Sequence, residues 1–220
     1  MARIGVLALQ GNFAKHAAAF MDLGQAVLEV RHVRQLAEID GLVIPGGEST
    51  TLLNLMEDEP WFEALREFHG GGGALFGTCA GAILLSREVR NPAQRSLGLL
   101  DAVIHRNAFG RQIDSFETGI GLAGSDRPLR AVFIRAPRFE DLGAEVEVLA
   151  RLENEPVLVR QDGVLAATFH PELTRDRQLQ RMFLEMTQGK LAIGKNDPRR
   201  QAPDTEAPGL ATAEERRITC

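Results

Sequence analysis

The sequence feature that most constrains the fold is a glycine-flanked cysteine between an apolar run and a helix pattern. Residues 74–76 predict the end of a buried strand, and residues 80–85 predict the first turns of a helix. Cys79 lies at the joint, with Gly77 and Gly81 two residues away on either side. This Gly-x-Cys-x-Gly pattern is the thiol counterpart of the Gly-x-Ser-x-Gly nucleophile elbow. Glycine is favoured at both flanking positions because a Cβ there would collide with neighbouring backbone.

A sharp turn at Cys79 would place its sulfur in a cleft at a helix N-terminus. Unpaired N–H groups and the helix dipole favour the thiolate there, and the thiolate is the form that attacks carbonyl carbon. A buried free cysteine, however, is more often a small core hydrophobe, and a glycine-rich turn can serve packing alone. The pentapeptide by itself leaves both interpretations open.

The order of strand and helix patterns predicts the fold class. Apolar runs of strand length alternate with amphipathic helix patterns, which is typical of a doubly wound α/β sheet. The predicted strands cover residues 3–9, 26–30, 41–44, 74–76, 131–137, 145–152, 157–161 and 164–169, and the predicted helices cover residues 12–23, 52–56, 61–69, 80–85 and 176–187. The last three strands predict an antiparallel meander. We therefore expect an α/β fold, with a doubly wound, mostly parallel sheet, flanking helices and an antiparallel edge.

Composition narrows the classes of function. The 220 residues carry 25 Lys and Arg against 30 Asp and Glu, a net charge of −5, which disfavours nucleic-acid binding. No apolar run approaches the length of a membrane span, so no membrane partner is expected. The two cysteines, Cys79 and Cys220, cannot form a disulfide framework, and a reducing cytoplasm is the expected location.

A glycine-rich loop, Pro45-Gly-Gly-Glu-Ser-Thr-Thr51, follows the strand predicted at residues 41–44. Its backbone N–H groups can approach a ligand closely, and its Ser and Thr residues are expected to cap the helix at residues 52–56. It is not a phosphate loop, because the Gly-Lys-[Ser/Thr] element is missing. Alone, such a loop is more often a tight connection. Beside a nucleophile elbow it offers the donors that an oxyanion hole requires.

The pair His170-Pro-Glu172 supplies a candidate base and a group to orient it. A thiol nucleophile needs a base, and the base needs a partner that fixes its tautomer. In an extended segment, residues two apart point to the same side. A single histidine is more often structural, but the elbow, the donor loop and this pair each lie at a strand end, where an α/β fold places its cleft. The combination favours a triad of Cys79, His170 and Glu172.

These motifs carry a family resemblance. Phe-Gly-Thr-Cys79-Ala-Gly, Phe-His170-Pro-Glu172 and the upstream Pro-Gly-Gly-Glu resemble the triad class of glutamine amidotransferases. Within that class, the chain resembles the glutaminase subunits of pyridoxal 5'-phosphate synthase from residue 3 to about residue 187. The stretches that carry the closer resemblance are Leu-Gln10-Gly-Asn and residues 45–51, 77–81, 106–117, 133–137 and 169–174. The block at residues 106–117, together with Gly-Glu-Ser-Thr-Thr, is specific to this subunit.

The resemblance implies hydrolysis of L-glutamine to glutamate and ammonia through a γ-glutamyl thioester. Cys79 would be the nucleophile, His170 the base and proton donor, and Glu172 the residue that orients it. Neither a cofactor nor a metal is implied. Ammonia would pass through a tunnel to a separate pyridoxal 5'-phosphate synthase subunit in a hetero-oligomeric complex.

The resemblance also implies an oxyanion hole and a set of glutamine-binding residues. The backbone N–H groups of Ala80 and of the Gly46–Gly47 loop, Gly47 above all, would hold the oxyanion, and the Gln10–Gly11 segment would help to complete the hole. The positions that match glutamine-binding residues are Gly47, Glu48, Ser49, Arg106, Ile134 and Arg135.

The resemblance and the composition together predict the domain organisation. We expect residues 1–190 to form the glutaminase domain. Beyond Gly189 the sequence has prolines, charges and few large apolar residues, so residues 191–220 are expected to be a disordered tail. Typical members of the family lack this tail.

Two alternatives stay open at this point. One is a glutaminase subunit that serves another synthase, and the block at residues 106–117 speaks against it. The other is a non-catalytic protein of the same architecture, with Cys79 as a redox sensor, because a fold can host other functions. A sensor would not need the pair of His170 and Glu172.

Overall fold

The computed structural model describes residues 2–106 and 115–194. Its strands are β1 (Ile4–Leu7), β2 (Val27–Val30), β3 (Gly41–Ile44), β4 (Ala74–Thr78), β5 (Ser86–Arg90), β6 (Leu100–His105), β7 (Phe116–Ile120), β8 (Leu129–Phe133), β9 (Arg138–Leu142), β10 (Glu147–Leu152), β11 (Glu155–Gln161) and β12 (Val164–Ala167). Its α-helices are α1 (Phe13–Met21), α2 (Ser49–Leu55), α3 (Trp61–Gly70), α4 (Ala80–Leu85) and α5 (Gln178–Gly194), and 3₁₀-helices span Val33–Glu38 and Pro171–Leu173. Most of the block at residues 106–117, and the predicted tail from residue 195 onward, lie outside the described residues.

The main sheet has seven strands in the order β10-β11-β12-β4-β3-β1-β2. The strands from β12 to β2 pair in parallel, and β10, β11 and β12 pair antiparallel at one edge. The predicted fold class is therefore confirmed. Two smaller sheets, β5-β6-β9 and β7-β8, stand beside the main one. The predicted strands do not include β5, β6, β7 and β9. Both β5 and β9 carry charged residues along much of their length and lack a continuous apolar run.

The main sheet is buried on both faces. Successive side chains of a strand point to opposite sides, so each central strand contributes to two apolar clusters. On β3, Leu42 and Ile44 belong to an apolar cluster shared with α2, α3 and α4. Val43, between them, belongs to a second cluster that contains Phe20 of α1 and Phe183 of α5. This alternation explains why the central strands are apolar almost throughout. Among the residues that the structure describes, no helix is both long and apolar enough to cross a membrane.

Two helix boundaries differ from the sequence prediction. Helix α2 begins at Ser49, because Glu48 rather than a Ser or Thr residue caps it, and its side chain accepts a hydrogen bond of 3.2 Å from the Thr50 N–H. Helix α5 runs to Gly194, past the predicted end at residue 187 and the predicted domain boundary at residue 190. Gly189 lies inside this helix, since one glycine weakens a helix by only about 1 kcal/mol and does not have to end it.

Helix α4 packs directly against the backbone of the sheet. A Cβ built on Gly81 would overlap the carbonyl oxygen of Ile44, and one built on Gly77 would lie 2.5 Å from the carbonyl carbon of Gly81. The predicted reason for both glycines, a collision with backbone, is therefore correct. The glycines set the distance between α4 and the sheet, and so the position of the turn at Cys79.

The close approach at Gly81 predicts a large loss of stability in Gly81→Ala. The added Cβ forces backbone apart, and we expect the free energy of unfolding to fall by about 1–3 kcal/mol or more. The matched control is Gly70→Ala at the end of α3, where an added Cβ meets no atom within 4 Å. That control should change stability by less than about 1 kcal/mol. Urea unfolding followed by the fluorescence of Trp61, the single tryptophan, measures both. Equal effects of the two variants would contradict the packing argument.

Candidate active site

Cys79 occupies a strained turn between β4, which ends at Thr78, and α4, which begins at Ala80. Its backbone has φ 49° and ψ −104°, a conformation that side-chain-bearing residues rarely adopt. Cys79 is 8% exposed and lines a cleft of about 300 Å³. A strained strand-to-helix turn with its central side chain in a cleft is the geometry of a nucleophile elbow.

His170 and Glu172 contact each other directly after β12. His170 Nδ1 lies 2.9 Å from Glu172 Oε1, and both side chains are buried. The expected extended segment is wrong, however. Pro171–Leu173 forms a 3₁₀-helix that begins after His170. The tight turn, rather than the alternation of a strand, brings the carboxylate back to the imidazole.

The structure also brings Cys79 and His170 together. A Cβ built on Gly46 would lie 2.5 Å from His170 Cε1 and 3.1 Å from Cys79 Cβ, so the Gly46 backbone passes close to both side chains. Burial lowers the pKa of His170, but hydrogen bonds and charge interactions with Cys79 and Glu172 outweigh it and raise this pKa to about 10. Burial likewise opposes the charge on Glu172, but the hydrogen bond with His170 leaves the pKa of Glu172 below its ordinary value. His170 is therefore protonated, and its ring lies between the sulfur of Cys79 and the carboxylate of Glu172.

The two predicted oxyanion donors, Ala80 and Gly47, lie beside Cys79. As the first residue of α4, Ala80 has an N–H without an acceptor in its own helix. Gly47 lines the cleft with φ 144°, a backbone conformation that favours glycine. The N–H of Gly46 is not available, because it donates a 3.0 Å hydrogen bond to Thr78 Oγ1. Of the Gly46–Gly47 loop, only Gly47 thus fits the predicted role.

The Gln10–Gly11 segment packs on this loop. A Cβ on Gly47 would overlap the side-chain amide of Gln10, and a Cβ on Gly11 would overlap the carbonyl oxygen of Gly46. Among the described residues, the buried Gln10 Nε2 has no hydrogen-bond partner. The segment is therefore in place to support the loop, and the NH2 group of Gln10 has no acceptor there.

All the residues that match glutamine-binding positions line the cleft around Cys79 and His170: Gly47, Glu48, Ser49, Arg106, Ile134 and Arg135. The side chain of Arg106 is only 12% exposed, and its Nη2 donates to Glu48 Oε1 at 3.1 Å and to Thr50 Oγ1 at 3.2 Å. The Ser49 hydroxyl donates to Gln94 Oε1 at 2.8 Å, which leaves its oxygen free to accept. The cleft thus contains the guanidinium group of Arg106, held in place by hydrogen bonds, together with hydrogen-bond acceptors. In the part of the chain that the structure describes, no group of His, Cys, Asp and Glu could hold a metal ion.

One buried residue of this site, His16 on α1, is not among the residues predicted from the sequence. His16 Nε2 lies 3.3 Å from Glu172 Oε2 and 3.2 Å from Thr78 Oγ1. Burial, with a smaller contribution from His170, lowers the pKa of His16 to about 4 against the opposing charge of Glu172. The available signal was a histidine one turn before Phe20 in the predicted helix, on the side of α1 that is buried. A single polar residue on a core-facing helix does not identify its partner.

Comparisons with known proteins show the family of the chain. A model of the SNO glutamine amidotransferase family matches residues 6–189. A pyridoxal 5'-phosphate synthase subunit PdxT of Deinococcus radiodurans is 50% identical over 186 residues, which cover 82% of this chain and 95% of that protein. The protein of the same name from Thermotoga maritima is 47% identical over 186 residues, covering 84% of this chain and 98% of that protein.

Solved structures show the same likeness. The crystal structure of a glutamine amidotransferase, 50% identical, matches with a TM-score of 0.80 over 84% of this chain and 98% of that one. A glutamine amidotransferase from Thermotoga maritima, 16% identical, matches with a TM-score of 0.55 over 90% of this chain and 87% of that one. The second likeness supports the fold alone.

The pKa of His16 predicts a loss of stability in acid. Because His16 titrates near 6.5 when unfolded and at about 4 when folded, the unfolded chain binds more protons between these pH values. The free energy of unfolding should therefore decrease as the pH falls through this window, by about 3 kcal/mol from His16. In His16→Leu, the free energy of unfolding should change less with pH, as measured by urea unfolding between pH 7 and pH 4. Identical slopes for the two proteins would contradict the assignment.

Proposed function

Because the chain belongs to the SNO glutamine amidotransferase family, we propose that Cys79, His170 and Glu172 hydrolyse glutamine as a catalytic triad. The chain is a glutaminase subunit of pyridoxal 5'-phosphate synthase, like the PdxT relatives that are 50% identical over 82% and 84% of its length. The observation that carries the triad is the buried 2.9 Å contact between His170 and Glu172 beside the strained Cys79.

The proposed reaction has two halves with one covalent intermediate. The Cys79 sulfur attacks the side-chain amide carbon of glutamine, and the amide oxygen takes the electron pair while the N–H groups of Ala80 and Gly47 donate to it. His170 gives its proton to the amide nitrogen, the C–N bond breaks, and ammonia leaves a γ-glutamyl thioester. Water then attacks the thioester, His170 takes a proton from it, and the C–S bond breaks to release glutamate. Glu172 keeps Nδ1 of His170 engaged, so that Nε2 serves both transfers.

The cleft residues suit the two charged groups at the other end of glutamine. An α-carboxylate requires cations or N–H donors, and an α-ammonium group requires acceptors. Arg106 and Arg135 supply cations, and Glu48 and Ser49 supply acceptors. The hydrogen bonds that hold Arg106 and Ser49 in place reduce the entropy lost when glutamine binds.

The released ammonia is proposed to reach a separate synthase subunit through a tunnel. Ammonia that escapes into water takes up a proton and loses its nucleophilic electron pair, so a closed path preserves its reactivity. The PdxT relatives are named as synthase subunits, which supports a synthase partner for this chain. The cytoplasmic location expected from the sequence stays a prediction.

Ammonia release from glutamine is expected to require Cys79 and to rise when the pyridoxal 5'-phosphate synthase subunit is added. Cys79→Ala removes the nucleophile and should lower kcat by about a thousandfold or more. The measurement is ammonia release with and without the synthase subunit. Cys220→Ser is the matched control, because it removes the other thiol of the chain and should keep wild-type activity.

The same experiment separates the alternatives. Activity that depends on Cys79 but ignores this synthase subunit would keep the glutaminase and assign it to another synthase. If no candidate synthase supports hydrolysis that depends on Cys79, the triad proposal fails and a redox sensor becomes the better interpretation.

Arg106→Gln tests the glutamine-binding assignment. Losing a charged hydrogen-bond donor to the α-carboxylate should raise KM by about ten- to a hundredfold, with a smaller change in kcat. The control is Arg160→Gln, which removes the same charge from an exposed pair with Glu147 on the antiparallel edge. Such surface pairs contribute little, so the control should keep both constants. An unchanged KM in Arg106→Gln would remove this residue from the binding site.

A further inference from the structure

His16 is a fully buried histidine that the proposed reaction does not use. It lies on the first helix, and its Nε2 is 3.3 Å from Glu172 Oε2 and 3.2 Å from Thr78 Oγ1. Its ring also meets the ring of Phe76 edge-on, with centroids 6.4 Å apart. A polar ring in this position has no access to solvent, so its polar surroundings are the hydrogen bond with Thr78 and the nearby carboxylate of Glu172.

The two ring nitrogens of His16 have different surroundings, and this fixes the place of the proton. Nε2 faces the oxygens of Glu172 and Thr78, whereas Nδ1 is buried without a hydrogen-bond partner in the described structure. A buried N–H group without an acceptor is rarer and less favourable than an unused lone pair. The neutral ring therefore carries its proton on Nε2, which is hydrogen-bonded to Thr78 Oγ1 at 3.2 Å and lies 3.3 Å from Glu172 Oε2.

Both oxygens of Glu172 lie next to a histidine nitrogen. Oε1 contacts Nδ1 of His170 at 2.9 Å, and Oε2 lies 3.3 Å from Nε2 of His16. Among the described residues the buried Oε2 makes no hydrogen bond, so His16 acts on its charge as a nearby N–H dipole and not as a hydrogen-bond donor. A polar group beside each oxygen favours one rotation of the carboxylate, and the loss of His16 would leave Oε2 without this contact in a buried site.

His16 also reaches the loop that carries the oxyanion donor. Thr78 Oγ1, 3.2 Å from His16 Nε2, accepts the N–H of Gly46 at 3.0 Å. Gly46 is the residue whose backbone passes close to both Cys79 and His170. One ring nitrogen therefore lies next to the carboxylate that orients the base and next to the hydroxyl that holds the loop.

We propose that His16 is a positioning residue of the glutaminase site, which directs the Glu172 carboxylate at His170 and steadies Thr78 against the Gly46 backbone. The inference rests on the proposed function of the triad. Its action is indirect, because His16 touches neither glutamine nor the sulfur. Its removal should slow the chemistry without weakening the binding of glutamine.

Three variants test the proposal in the complex with the synthase subunit. His16→Leu keeps an apolar side chain of similar size but has no donor, and should lower kcat by about ten- to a hundredfold with KM unchanged. His16→Gln places an N–H donor near the position of Nε2 and should recover part of the loss, whereas the shorter His16→Asn should not. Phe20→Leu is the matched control, since Phe20 is a fully buried residue of the same helix in contact with Phe183 rather than with Glu172. It should keep wild-type kcat even where it lowers the unfolding midpoint.

The second readout is the rate at which iodoacetamide alkylates Cys79 as a function of pH, read from the mass of the Cys79 peptide. In wild type, Glu172 holds the imidazole of His170 beside the sulfur, so the alkylation profile depends on how this pair is ordered. In His16→Leu the profile should differ from that of wild type, and in Phe20→Leu it should not. Two charged groups face His16, namely Glu172 and His170, and every variant keeps both of them.

The outcomes separate the inference from the function on which it rests. Wild-type kcat and a wild-type alkylation profile in His16→Leu would overturn the positioning role, as would the same loss in Phe20→Leu. Should His16→Leu not fold, equal activity of the Gln and Asn variants would overturn it. If Cys79→Ala keeps its activity, the triad fails, while the alkylation profile still reports whether His16 orders the Glu172–His170 pair.

Discussion

The site depends on the parallel register of three neighbouring strands. In β3, β4 and β12, Ile44 pairs with Gly77 and Ala167 pairs with Thr78, so the strands end at the same level. Because the carboxyl ends of parallel strands meet at one edge of a sheet, the chain leaves each strand toward the same cleft. The Gly46–Gly47 loop, Cys79 and His170 follow these three strand ends. Residues that are far apart in sequence thus meet without any long excursion of the backbone.

One carboxylate lies between two buried histidines with opposite electrostatic behaviour. His170 has its pKa raised to about 10, whereas His16 has its pKa lowered to about 4. Burial disfavours the charged form of both rings. Hydrogen bonds and charge interactions with Cys79 and Glu172 raise the pKa of His170, and together they outweigh burial. His16 shares only Glu172 and is repelled by the proton on His170. A neutral ring and a charged ring can therefore lie beside the same carboxylate without placing two cations in the core.

The glycines around the cleft serve close packing more than flexibility. Gly47 leaves room for the side chain of Gln10, Gly11 for the carbonyl oxygen of Gly46, and Gly81 for that of Ile44. In each case a Cβ would push apart the segments that form the cleft. The backbone donors of an oxyanion hole must be placed before the substrate arrives, because their value lies in needing no rearrangement. Because the glycines place no side chain between these segments, the segments pack in direct contact, and this contact holds their backbone N–H groups in place.

The sequence by itself determined the sheet class, the elbow and the members of the cleft, because each is a local pattern. The apolar run of β3 predicts a strand and the glycines beside Cys79 predict a sharp turn, both from adjacent residues alone. The motifs that follow the strands predict a shared cleft. Only the tertiary structure decided how these parts contact one another. The 3₁₀-helix after His170, the engaged N–H of Gly46 and the contact of His16 with Glu172 depend on segments from distant parts of the chain. Hydropathy and spacing do not encode such contacts, since the energy of a buried hydrogen bond depends on positions within a few tenths of an ångström that only the packed fold defines.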